Sequence, residues 1–132
     1  MKSRDTLVRL KRFQVEDKRR RLSQIEMMIA EFHRMAGELD REIASEEQKS
    51  GVADVTHYAY PTYARAARTR RDNLLHSAEE LKGQLDEARA LFDAANEELN
   101  KAQVLEGREK SSVLGDLSRE APEFGALRGA RA

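Results

Sequence analysis

From position 8 to position 43 every seventh residue is apolar: Val8, Val15, Leu22, Ile29, Ala36 and Ile43. The positions three further on are Lys11, Lys18, Ile25, Phe32, Leu39 and Glu46. The seam is therefore complete from Leu22 to Ile43 and one-sided before it. Such 3-4 spacing commits a chain to a long helix that buries one narrow stripe against another helix. A second seam follows Pro61, in steps of four and three. It visits Tyr60, Ala64, Ala67, Arg71, Leu74, Ala78, Leu81, Leu85, Ala88, Phe92, Ala95, Leu99 and Ala102, with Arg71 alone neither apolar nor aromatic. Its alanines suit a close approach to larger side chains opposite.

Composition agrees with the pattern. In 132 residues, 36% are charged, 5% aromatic, and there are only 7 Gly and 2 Pro. The remainder is rich in strong helix formers, a mixture that disfavours β-rich and α/β enzyme scaffolds. The 24 basic and 24 acidic side chains balance, so net charge predicts no attraction to nucleic acid or to a membrane. With no Cys there are no disulfides and no thiol chemistry. No apolar stretch resembles a secretory leader or a membrane span, so a soluble, cytoplasmic protein without membrane insertion is expected.

Between the seams lies Gln48-Lys49-Ser50-Gly51-Val52-Ala53-Asp54-Val55-Thr56. Gly51 suits a helix end, Lys49 its last turn, and Pro61 the first turn of the next helix, with Thr56 and Thr62 as alternative N-caps. The expected fold class is all-α, a long antiparallel two-helix coiled-coil hairpin: helix about 5–48, bend about 49–57, helix about 58–110. Residues 1–114 form the hairpin. Beyond them Gly115, Pro122, Gly125 and Gly129 punctuate 115–132, which is expected to be a disordered tail. Gly37 and Gly83 fall inside the helices and are read as tolerated by packing.

Charge blocks support the same folding back. Residues 1–21 hold nine basic and three acidic side chains, 22–56 three and eight, 57–77 four and one, and 78–100 two and seven. Folding near residue 54 sets the basic start against 87–107, which has two basic and five acidic groups, and sets Arg65–Arg71 against Glu38, Asp40 and Glu42. Opposed blocks select orientation even where each exposed pair contributes little. An elongated monomer is expected before any assembly.

No catalytic constellation is present, and neither a catalytic residue, a cofactor nor a metal site is expected. His33, His57 and His76 are scattered and read either as solvated imidazoles or as an isolated metal site. Adjacent carboxylates such as Glu79-Glu80, Asp86-Glu87 and Glu97-Glu98 point about 100° apart on a helix and make no acid–base dyad. The run Lys18-Arg19-Arg20-Arg21, with Lys11-Arg12 before it, reads as a solvated, ion-paired face or as a phosphate-gripping patch. Tyr58, Tyr60 and Tyr63, three of the seven aromatics, cluster at the bend. They either cap the seam or anchor a partner.

Several segments resemble the FliJ family of flagellar export proteins, and its alphaproteobacterial members most. They are Leu7-Val8-Arg9-Leu10-Lys11-Arg12-Phe13-Gln14-Val15-Glu16, the leading helix through Ile29, Tyr60-Pro61-Thr62-Tyr63, and Asn100-Lys101-Ala102-Gln103-Val104-Leu105-Glu106. The resemblance spans roughly residues 5–110. It implies a non-enzymatic component of the flagellar type III export apparatus, peripheral at the cytoplasmic face of the inner membrane. The implied partners are the export ATPase ring, the cytoplasmic domain of the export gate, and export chaperones. Leu7, Arg9, Lys11, Arg12, Phe13, Gln103, Val104 and Leu105 would face the ring. The gate would meet Tyr60, Tyr63 and Ala67. After Tyr63 the sequence departs from the enteric pattern in the Arg-rich stretch Arg65-Ala66-Ala67-Arg68-Thr69-Arg70-Arg71. Outside the family, a self-associating structural coiled coil, or a nucleic-acid or anionic-surface binder using the basic first helix, fits the same residues.

Overall fold

The computed structural model describes the backbone of residues 2–131 and the side chains of residues 3–112, 114 and 115. It is all-helical, with α1 at Lys2–Ser50 and α2 at Thr62–Arg131. Both helices persist because their interiors are built from Leu, Ala, Glu, Lys, Arg and Gln, and Asp5 and Lys49 sit at the ends of α1 that favour their charges.

Gly51 ends α1. Its φ of 74° is left-handed, and its N–H donates to the Glu47 carbonyl at 2.9 Å, which satisfies a carbonyl that the helix end would leave open. Two successive turns follow. The His57 N–H donates to the Asp54 carbonyl and the Tyr60 N–H to the His57 carbonyl, each at 3.1 Å. Side chains reinforce them: the Asp54 carboxylate accepts the Thr56 N–H and hydroxyl, and His57 Nδ1 accepts the Ala59 N–H. These bonds keep 57–60 out of the helix. α2 begins only where the Arg65 N–H reaches the Pro61 carbonyl at 3.0 Å.

Three expectations are corrected here. The bend runs from Gly51 to Pro61, not 49–57. Neither threonine caps α2: the Thr56 hydroxyl is engaged by Asp54, and Thr62 is already the first helical residue. α2 continues past the expected end near 110, because losing an apolar seam removes a partner surface without removing helix propensity. The expected disordered tail falls on a stretch whose side chains, from 116 onward, lie outside the described residues.

The chain divides into two compact units, Arg19–Ala90 and Met1–Lys18 with Leu91–Ala132. Arg19–Ala90 contains the turn and is a helical hairpin. Its core is Ile25, Leu81 and Ala88, with Leu22, Ile29, Phe32 and Leu85 packed against them. Ala36, Ile43, Tyr60, Ala64, Ala67 and Ala78 are also buried. Arg71, the polar break in the second seam, is half-buried and binds Asp40 and Asp72, both at 2.9 Å. Gly37 and Gly83 lie in unbroken helix, but a Cβ at either would meet nothing within 4 Å. Packing therefore does not require them.

The other unit has a thinner interior. Val8, Val15 and Ala102 are its buried hydrophobics among the described residues, while Lys11, Gln14 and Lys18 occupy half-buried positions between the two valines and beyond. Arg4 pairs with Glu109 at 3.3 Å and Lys11 with Glu98 at 3.6 Å. The partner's number falls as the first residue's number rises, as the charge blocks require.

Candidate partner-binding surfaces

In the terminal unit the residues proposed from the sequence separate by exposure. Leu7 and Lys11 are half-buried. Arg9, Arg12, Phe13, Gln103, Val104 and Leu105 are exposed. Phe13 is 62% exposed and Val104 53%, and Leu10, Leu91 and Leu114 are exposed besides. Phe13 stands two residues from buried Val15, and Val104 two residues from buried Ala102. Two residues are about 200° of helical turn. Phe13 thus points away from α2 and Val104 away from α1, leaving apolar side chains on opposite outer faces of the pair. Leu10, Leu91 and Leu114 are additions that the resemblance did not single out. Their signal in the sequence is an apolar residue off the seam.

At the turn, the tyrosines part company. Tyr60 is 5% exposed, and its hydroxyl donates to Glu47 Oε1 at 3.2 Å. The Arg65 guanidinium lies 5.4 Å from the centre of the Tyr60 ring and donates to the Val55 carbonyl at 3.0 Å. Arg68 approaches the same Glu47 carboxylate at 3.6 Å. Ala67 is buried as well. Tyr63 is exposed, and its hydroxyl donates to Glu42 Oε2 at 2.8 Å. That bond and the Glu42 charge raise the Tyr63 pKa above its ordinary 10.0. Of the three residues expected to meet the gate, Tyr60 and Ala67 therefore face inward, and Tyr63 alone is presented. Tyr58 is also presented, stacked on His57 at 4.6 Å between ring centres.

The basic run is tethered unevenly. Lys18 lies 3.9 Å from Asp17, Arg21 donates to Gln84 Oε1 at 3.5 Å, and Arg20 is exposed. His76 Nε2 is 3.0 Å from Glu80, and His33 adds to the charge that, after the Lys82 hydrogen bond, holds the Glu79 carboxyl below its usual range. Among the described residues, no group of three or more His, Asp or Glu is arranged to hold a metal ion. Among them too, no helix is long and apolar enough to cross a membrane.

No protein-family model, curated protein or solved structure matches this chain.

Proposed function

We propose that this chain is a non-enzymatic stalk and regulator of bacterial flagellar protein export. In this reading its helices wind as an antiparallel coiled coil, and the unit holding both chain ends enters the ring of the export ATPase. The observation that carries the reading is the pair of outward apolar residues, Phe13 and Val104, on opposite faces of the terminal unit. A flat partner covers one face. A partner that surrounds the helix pair covers both, and apolar cover of side chains already exposed is a favourable contribution to binding. The exposed cations Arg9 and Arg12 beside Phe13 add electrostatic steering toward an acidic ring lining.

In the same reading the turn-bearing unit meets the cytoplasmic domain of the export gate through Tyr63, and export chaperones are further partners at the cytoplasmic face of the inner membrane. Tyr60 and Ala67 then hold the surface in place without touching the gate.

Affinity purification of the tagged full-length chain from its native cells is the test. Recovery of an export ATPase, persisting as salt is raised, is the expected result. Recovery of nucleic-acid-bound material instead, lost steeply with salt, would replace the proposal by phosphate binding through the basic run.

A further inference from the structure

Beside Tyr63, α1 and α2 of the turn-bearing unit leave a cleft of about 190 Å³ lined by Met35, Glu38, Leu39, Glu42, Tyr63 and Arg70. At roughly 30 Å³ per liquid water it has room for about six waters, enough for one long side chain. Met35 and Leu39 are half-buried and form an apolar floor. Glu38 and Glu42 stand four residues apart, hence on one face of α1.

The two carboxylates are differently satisfied. Glu38 Oε1 accepts from the Arg34 guanidinium at 2.6 Å. Glu42 has the neutral Tyr63 hydroxyl as its hydrogen-bond partner and, among the described residues, no cation at ion-pairing distance. The Glu42 hydrogen bond, then its charge, with smaller shares from burial and Glu46, raises the Tyr63 pKa, and the Arg70 charge opposes them. Arg70, which also lines the cleft, engages no carboxylate among the described residues. An ionised carboxylate beside an apolar floor and an aromatic ring is complementary to a cation on an aliphatic stem. A stem lying along Met35 and Leu39 brings its charged head to Glu42, beside the Tyr63 side chain that lines the same cleft.

We propose that this cleft receives an arginine or lysine side chain from a partner protein. Arg70 is then the resident competitor, a like charge that the incoming cation must face. Two signs follow: loss of the Glu42 charge weakens binding, and loss of the Arg70 charge strengthens it. A ligand led by an acidic side chain requires both signs reversed.

The test uses the full-length protein with methyl-labelled methionines, whose Met27 and Met28 serve as internal references for Met35. The probe is a helical Ala/Gln peptide carrying one central Arg, compared with the same peptide carrying Glu. It contains no part of an export apparatus, so the outcome is independent of the stalk reading. The Arg peptide should shift the Met35 methyl signal saturably and leave Met27 in place. Glu42→Gln should weaken that binding about tenfold, the lower range for a hydrogen bond to a charged group. Arg70→Ala should tighten it severalfold. Both substitutions lie at exposed positions, and circular dichroism verifies that each variant stays helical. A Met35 shift with the Glu peptide that vanishes in Arg70→Ala, or no Met35 shift with the Arg peptide at millimolar concentration, would overturn the proposal.

Discussion

The Tyr60 hydroxyl donates to Glu47 Oε1 at 3.2 Å, linking the end of the turn, two residues before α2, to the last turn of α1. With Arg65 over its ring and Arg68 on the same carboxylate, Tyr60 closes the end of the hairpin. Tyr60→Phe keeps the ring and loses the bond, so it should cost about 1 kcal/mol in urea unfolding. Tyr60→Ala also loses the buried ring and should cost about 3–4 kcal/mol. Equal effects of the two substitutions would contradict this role.

Among the described residues Ile25 is the largest fully buried side chain, at 1% exposure in the Leu81–Ala88 cluster. Ile25→Ala should destabilise the protein by about 2–4 kcal/mol. Met27, two residues on and 71% exposed, should tolerate Ala within about 0.5 kcal/mol. Chemical denaturation of both variants provides the contrast.

Burial followed the seams closely. All thirteen stepped positions from Tyr60 to Ala102 are buried or half-buried, Arg71 included, because the 3-4 period itself states which face of a helix is covered. The turn was less legible. Its length depends on the Asp54 and His57 side chains bonding to nearby backbone N–H groups, and periodicity carries no trace of such bonds. Tyr60 and Tyr63 look like neighbours on one helical face only if both are helical. Tyr60 precedes α2, so the 100° rule does not relate them. The end of α2 was hidden for a different reason: an apolar pattern reports a partner surface, and helix propensity outlasts it.

Gly37 and Gly83 offer a gain. With nothing within 4 Å of an added Cβ, each Gly→Ala change should stabilise the protein by about 1 kcal/mol. Thermal unfolding should show the two increments adding, since neither added Cβ meets an atom within 4 Å and the two therefore share no contact. A loss of stability at either position would mean that a close contact depends on the missing side chain.

The pH dependence has two limbs. Tyr63 holds its proton more tightly in the fold than its ordinary 10.0, so its contribution is full below that value and is lost as pH rises through the raised one. The Glu31 carboxyl is held below its ordinary 4.5 by the Arg34 hydrogen bond, and that of Asp54 below 3.8 by the Thr56 hydroxyl and N–H. Their contributions are present above those ordinary values and are lost as pH falls through the lowered ones. Ultraviolet titration of Glu42→Gln should move the Tyr63 midpoint back toward 10.0. An unmoved midpoint would assign the shift to another cause.

In the proposed stalk, a surrounding partner covers both outer faces of the terminal unit. Single cysteines at positions 13 and 104, each carrying the same bulky nitroxide in this otherwise Cys-free chain, test it most directly. Stimulation of the export ATPase is read for each labelled protein and for the unlabelled variants. Either label alone should abolish stimulation while the protein remains helical. Full stimulation with a label at one of the two positions would show that this face stays open, and would contradict an enclosing ring.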